Sequence, residues 1–405
     1  MKRLVLFLCL IFLTPLWPHT GFVVSGAESA EEKPPPQSEP NELEPAAQLI
    51  ALIKANKVYA PQISEQELER ARLTGIIQAL DDPYVALIDT RNQNIDDSTT
   101  QSDSSEYGLI VAEDEYDRLF VQSVLPESPA ARAGLMAGDR ILRVGNENVA
   151  GRSAWEVLPL LSKPDNLRLV VQRPNRGQKE VVISEQPYEM QTVELRIGDV
   201  GPAWIEDNSG PIAWIKIHTF LSSTTIQEWN RVVERIHAHP EIQRVVLDLR
   251  NNGGGDNTCI RILGDFFRTG EDLVTFHSLL TTRPGRQRVR NYSLPRSRLI
   301  TYPAVVLVND RTASLAEITA AALRDNRSVP LVGETTYGKG TTQTWVQLGT
   351  HYAAHLTLGR WFTAGGYSID GEGLIPDVCV KDDPNTPDDD EQLLAAVQVL
   401  FNGDY

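Results

Sequence analysis

Short, predominantly apolar runs recur through residues 190–385, and stretches with helical spacing alternate with them. Ile212 to Ile217, Val245 to Leu249 and Val305 to Val308 are too short for helices and rich in β-branched residues, which predicts buried strands. Ser223 to His237, Asn257 to Phe267 and Ala316 to Leu323 predict the helices between them. Strand and helix in alternation make an α/β layout with a mixed or parallel sheet.

A different pattern precedes this core. Between residues 104 and 186, the runs Leu119 to Val124, Arg140 to Val144, Leu167 to Gln172 and Glu180 to Ser184 alternate apolar with polar positions. Turn residues separate them, so a small β-rich domain is expected, interrupted by helical stretches near Pro129 to Ala133 and Ser153 to Leu161. Residues 45–95 read as an N-terminal helical segment. One helix covers Ala46 to Asn56, with Leu49, Ile50, Leu52 and Ile53 in a stripe. A second starts after Ser64, whose hydroxyl suits an N-cap, and stops at Asp81-Asp82-Pro83-Tyr84. Residues 91–106 are polar and loop-like, and 386–405 form a C-terminal helical tail.

Met1-Lys2-Arg3 followed by apolar Leu4 to Leu13 has the layout of a signal peptide, and Ser25-Gly26-Ala27 offers small residues for cleavage before Glu28. Residues 1–27 are therefore expected to be a leader, and 28–44, rich in Glu, Pro and Ser, a disordered linker. Thr14, Pro15, Pro18 and His19 break the apolar stretch too early for a good membrane span. The expectation is export to the periplasm or another extracytoplasmic compartment, with any membrane association confined to the N-terminal segment.

Length and composition narrow the function. A chain of 405 residues has room for two or three domains, and its 41% hydrophobic and 23% charged residues are ordinary for a globular protein. The net charge of −16 argues against nucleic acid and anionic membrane surfaces as partners. Leader removal would leave Cys259 and Cys379, either as one disulfide or as two buried thiols.

The candidate chemistry lies just past three of the predicted strands, where α/β proteins place their sites. Asp248-Leu249-Arg250-Asn251-Asn252-Gly253-Gly254-Gly255-Asp256 joins a strand to a helix. Its glycines let backbone N–H groups turn toward a ligand, as an oxyanion hole requires, or simply make a tight turn. Ser314 follows the strand ending at Val308, and Lys339 follows Pro330 to Glu334 within Gly338-Lys339-Gly340. Alone, Ser314 reads as a helix cap and Lys339 as a solvated turn residue. Together they suit a serine nucleophile with a lysine base, provided the lysine is buried so that its neutral form is favoured. Gln343 is placed to hold the amine through its side-chain oxygen. His19, His218, His237, His239, His277, His351 and His355 form no His-Glu-x-x-His motif. No Gly-x-Ser-x-Gly elbow supports a Ser-His-Asp site either.

Ser128-Pro129-Ala130-Ala131-Arg132-Ala133-Gly134-Leu135-Met136-Ala137-Gly138-Asp139 resembles bacterial PDZ domains, and Tyr107-Gly108-Leu109-Ile110 resembles their carboxylate-binding loop. Asp248 to Gly255, Ser314 to Glu317 and Gly333 to Gln343 resemble the signature blocks of carboxyl-terminal processing peptidases, the tail-specific serine proteases. Asp82-Pro83-Tyr84 and Ser368 to Asp377 extend the resemblance to nearly all of the mature chain. It implies a crotonase-like α/β protease core with an inserted PDZ domain, and a Ser314–Lys339 dyad completed by Gln343. Oxyanion donors are expected from the backbone of Gly254 and Leu315, and Asp325 falls where some members carry an important aspartate, here given a supporting role. The chain departs from the family pattern at Gly253, where Pro is usual, and at Thr312 and Ala316, where serines are usual.

The expected function is an exported serine endopeptidase that binds protein C-termini through its PDZ domain and needs no metal or cofactor. A non-catalytic scaffold that binds protein tails is the alternative. An acyl-transfer enzyme using the glycine loop would leave the PDZ domain and Lys339 unexplained.

Overall fold

The computed structural model describes Leu49 and residues 64–80, 82, 84–90, 107–113, 118–152, 154–161, 166–174, 176–198, 211–220, 223–255, 258–268, 272–278, 285–290, 297–382 and 390–402. The expected leader, linker and loop 91–106 lie outside these residues, as does the helix over 46–56 apart from Leu49.

Helix α1 (Glu65–Gln78) begins with a reciprocal cap. Ser64 Oγ accepts from the Glu67 N–H at 3.2 Å, and the Glu67 carboxylate accepts from the Ser64 N–H at 2.5 Å. None of its residues is buried, and Ile76 and the following Leu80 are exposed. The Tyr84 N–H then donates to Asp82 Oδ1 at 2.8 Å, turning the chain into strand β1 (Ala86–Asp89).

The β-rich unit comprises β2 (Leu109–Glu113), β3 (Leu119–Val124), α2 (Pro129–Arg132), β4 (Arg140–Val144), β5 (Glu147–Asn148), α3 (Ala154–Leu161), β6 (Asn166–Arg173) and β7 (Gly177–Ser184). Its antiparallel sheet runs β2-β3-β4-β6-β7, with β5 beside β4. Leu167, Leu169 and Val171 on β6 and Val181 and Ile183 on β7 point into one core, which explains the alternation seen in the sequence. Arg173 clamps the Gly-Asp turn by donating to both oxygens of buried Asp139, at 2.7 and 2.6 Å.

The remaining elements are β8 (Val193–Gly198), β9 (Ile212–Ile217), α4 (Ser223–His237), β10 (Arg244–Asp248), α5 (Thr258–Leu263), β11 (Asp272–Ser278) and β12 (Gly285–Arg290). They continue with β13 (Ala304–Val308), α6 (Leu315–Arg327), β14 (Leu331–Gly333), β15 (Thr341–Leu348), β16 (Tyr352–Thr363), β17 (Val378–Cys379) and α7 (Glu391–Asn402). One sheet has the order β17-β14-β13-β10-β9-β8 and is parallel except for β8. Ala213, Ile215, Val245, Leu247, Val306 and Val308 pack on its α4–α5–α6 face. Trp214, Val246, Val305 and Leu307 pack under α7 on the other. Burial on both faces is why these strands read as unbroken apolar runs.

A second, antiparallel sheet of order β1-β16-β11-β12, with β15 also on β16, extends the core. The alternation of strand and helix expected from the sequence does not include it. Cys259 and Cys379 are free thiols, and the second is exposed rather than buried. Among the described residues, no helix is long and apolar enough to cross a membrane.

Candidate active site

Two loops meet at the ends of β10 and β13. The Ala313 N–H donates to Asn252 O at 2.9 Å, Thr312 Oγ1 donates to Leu249 O at 2.9 Å, and Asn309 Oδ1 accepts from the Asn251 N–H at 2.9 Å. Stitched this way, the glycine loop and the serine loop form one rigid unit. Ala316 N–H donates to Ala313 O at 3.1 Å and closes a turn with Ser314 at its first inner position, φ 56° and ψ −122°. These are type II′ values, which glycine adopts freely and serine does not. Ser314 therefore sits on a strained elbow between strand and helix, a feature of sites rather than of ordinary caps.

Lys339 approaches from the loop before β15, and one carboxylate joins it to the serine. Glu317 Oε2 accepts from the backbone N–H of Ser314 at 2.8 Å and of Lys339 at 2.9 Å. Its Oε1 accepts from Thr336 Oγ1 at 2.6 Å and from the Gly338 N–H at 2.7 Å. Glu317 is fully buried, and burial pushes its carboxyl up to about 7 even against these four donors. Gly338 has φ 91°, and a Cβ there would sit 2.8 Å from Gly373 N, so the loop closes only with glycine.

The three residues are buried, with Ser314 2%, Lys339 3% and Gln343 2% exposed. Gln343, on β15, donates to Thr341 Oγ1 at 2.8 Å and Thr357 Oγ1 at 3.2 Å. Its Oε1 is buried with no hydrogen-bond partner among the described residues, so an acceptor stands ready inside the site. Trp361 Nε1 donates to Lys339 O at 2.8 Å. His355 Nδ1 lies 3.1 Å from Tyr84 O, and burial pushes this imidazole down to about 3. It is neutral throughout the physiological range.

Asp248 ends β10 fully buried, where it pairs with Arg250 at 2.7 Å and Lys216 at 3.4 Å. Although burial opposes ionisation, these two cations hold its carboxyl well below the usual range and anchor the base of the glycine loop. The Gly254 N–H, expected as an oxyanion donor, donates to Asn252 Oδ1 at 2.8 Å and must leave that acceptor to serve one. Leu315 opens α6, so its N–H is among those a helix leaves without an intrahelical acceptor. Asp325 lies elsewhere: eleven residues of helix carry it about 16 Å from Ser314, and its Oδ2 accepts from the Gly365 N–H at 2.9 Å.

In the β-rich unit, Gly108 has φ 66°, and a Cβ there would sit 2.1 Å from Ser128 Cβ. Tyr107 and Leu109 pack into that unit's own core, whereas Ile110 joins Ala112, Phe120 and Leu125 against Ala313 and Tyr337 of the core. Gln122, on β3, donates to Asn251 O at 3.2 Å and Arg311 O at 2.7 Å. The β-rich unit thus touches both loops of the site. Glu317, Tyr84, His355 and Gln122 were given no role from sequence. Two of them carry a signal in the sequence: Glu317 is an acid three residues after Ser314, as in a capping box, and Tyr84 ends the Asp82-Pro83-Tyr84 motif.

Known proteins resemble both parts of the chain. Residues 211–380 match the model of peptidase family S41, and residues 120–173 match a PDZ domain. The core belongs to peptidase family S41. The carboxy-terminal processing protease CtpA of Bacillus subtilis is 31% identical over 325 residues, covering 79% of this chain. The chain spans 65% of the length of that relative. CtpB of the same organism is 26% identical, covering 90% of this chain and 72% of CtpB. Among solved structures, a photosystem II D1 C-terminal processing protease superposes with a TM-score of 0.66 at 25% identity, covering 84% of this chain and 89% of that one.

Proposed function

We propose that this chain is a serine endopeptidase that takes protein C-termini on its PDZ domain and cuts them with Ser314, Lys339 and Gln343. The observation that carries the reading is the Glu317 carboxylate, one oxygen of which binds the backbone of both Ser314 and Lys339. Through it the backbones of two residues far apart in sequence share one acceptor, which supports reading them as partners.

Neutral Lys339 accepts the proton of Ser314 Oγ as that oxygen attacks the scissile carbonyl, and the ammonium gives a proton to the leaving amine as the C–N bond breaks. Water then enters, Lys339 takes its proton as it attacks the acyl-Ser314 ester, and the proton passes back to Ser314 Oγ as the new C-terminus leaves. Burial supports the neutral amine. Gln343 Oε1 orients it, and the Leu315 N–H meets the developing oxyanion, joined by Gly254 once Asn252 releases it. Asp325 supports the site only through the turn at Gly365. We read residues 190–385 as a crotonase-like core and residues 104–186 as the recognition domain. Among the described strands β2 pairs only with β3, and we take its other edge as the one to which a peptide strand adds, with the Gly108 loop taking the terminal carboxylate. The N-terminal residues suit export, so the substrates are extracytoplasmic proteins.

A serine-reactive fluorophosphonate probe tests this directly. The full chain should be labelled at Ser314, and Ser314→Ala should lose both the label and the cutting of an unfolded protein with an apolar tail. Unlabelled wild type, or cutting by Ser314→Ala, would instead favour a scaffold that binds tails.

A further inference from the structure

Tyr84 reaches the lysine from the opposite end of the chain. Its ring lies against Lys339 Nζ, 5.0 Å from amine to ring centroid, within the range of a cation–π contact. Three contacts hold this residue, two through its backbone and one through its hydroxyl. The Tyr84 N–H is tied to Asp82 Oδ1 at 2.8 Å, its hydroxyl lies 3.3 Å from the Tyr337 hydroxyl, and its carbonyl faces His355 Nδ1 at 3.1 Å. Two residues on, β1 pairs with β16 in a register that sets Ala86 opposite His355. A segment that could have been a tether is thus built into the wall of the lysine pocket.

We propose that Tyr84 is a positioning residue for Lys339, its ring face holding the amine and favouring the ammonium that forms when the serine proton is accepted. This rests on the reading of Lys339 as the base. The proton leaves Ser314 Oγ for Lys339 Nζ while the C–O bond forms, so positive charge appears on the nitrogen facing the ring. Burial opposes that charge and the negative ring face offsets part of the opposition. The other titratable groups around this pair act in known senses. Glu317 on α6 and Asp370 and Asp82 on flanking loops lie near enough to act on Tyr84. Tyr337 contacts its hydroxyl, and His355 on β16 is neutral and adds no repulsion.

The test is the pH dependence of kcat/KM on a fluorogenic peptide with a free apolar C-terminus. Full-length wild type is compared with Tyr84→Phe, Tyr84→Leu and a chain carrying tetrafluorophenylalanine at position 84, which keeps the ring's shape but weakens its negative face. Tyr84→Phe should reproduce the wild-type profile. Tyr84→Leu and the fluorinated ring should move the acid limb to lower pH by about half to one unit, because losing the ring makes the ammonium easier to deprotonate. An acid limb that the fluorinated ring leaves in place, or that Tyr84→Phe moves as far as Tyr84→Leu, overturns the proposal. Should Tyr84→Leu fail to fold, the fluorinated ring decides alone. Failure of the underlying reading shows differently: Lys339→Ala would keep the wild-type acid limb, and both conclusions fall.

Discussion

Ser314 occupies φ 56° and ψ −122°, a conformation that costs a side-chain-bearing residue about 1–3 kcal/mol. Removing the hydroxyl leaves that cost, whereas removing Cβ relieves it. Ser314→Gly should therefore unfold at higher denaturant than Ser314→Ala, by about 1 kcal/mol after the extra chain entropy of glycine, while neither variant cuts. Equal midpoints would mean the elbow stores no strain. Glu317 makes a second residue-scale prediction. The amide of Glu317→Gln would set an NH2 against two N–H or O–H donors, leaving them buried without acceptors at about 1–3 kcal/mol each. The wild-type carboxyl titrates near 7 in the folded chain against an ordinary value of 4.5, so the native state takes up its proton first as pH falls. Its contribution to stability accordingly rises from pH 7 down to 4.5 and is flat outside that window. The gap in unfolding midpoint between wild type and Glu317→Gln should widen from pH 8 to pH 5. Activity should run the other way, since a protonated Glu317 cannot accept all four of its hydrogen bonds.

Elements of one period were legible in the sequence and elements of mixed period were not. The strands Ile212–Ile217 and Ala304–Val308 are buried on both faces, and the run of apolar residues says so. In β15, Thr341 and Gln343 are buried while Val346 is only half-buried, so no alternation of apolar and polar marks the strand. Its order comes from β16, a partner recognised only in three dimensions. The site divides in the same way. Ser314, Lys339 and Gln343 stand in recognisable local contexts, whereas Tyr84 and His355 join them only through the pairing of β1 with β16. Gln122 shows what such non-local ties are worth. It sits fully buried on β3, and its amide donates to the carbonyls of Asn251 on the glycine loop and Arg311 on the serine loop. Gln122→Ala should release both, so that amide exchange in residues 309–313 quickens by about fivefold or more, the equivalent of one lost hydrogen bond. Unchanged exchange there would show that the two loops hold each other without help from β3.

At the scale of the whole molecule, the proposed recognition loop and the proposed cutting site share one apolar seam. The Gly108 loop leads into β2, and that strand's Ile110 and Ala112 pack with Ala313 and Tyr337, the immediate chain neighbours of Ser314 and Gly338. A tail captured along β2 would therefore be anchored on the strand that lies against the cutting site. The proposed capture requires the Gly108 backbone to keep φ 66° beside Ser128, which no residue with a Cβ does without displacing that side chain. Gly108→Ala should then raise KM at least tenfold for a substrate with a free apolar C-terminus, with kcat largely retained, because the machinery at Ser314 and Lys339 is untouched. Amidating the substrate's terminal carboxylate should produce the same rise in wild type and little further rise in Gly108→Ala, since both remove one interaction. Additive effects of the two changes would place the carboxylate elsewhere. A fall in kcat with KM unchanged would mean that the Gly108 loop acts on the cutting step through the seam rather than on capture.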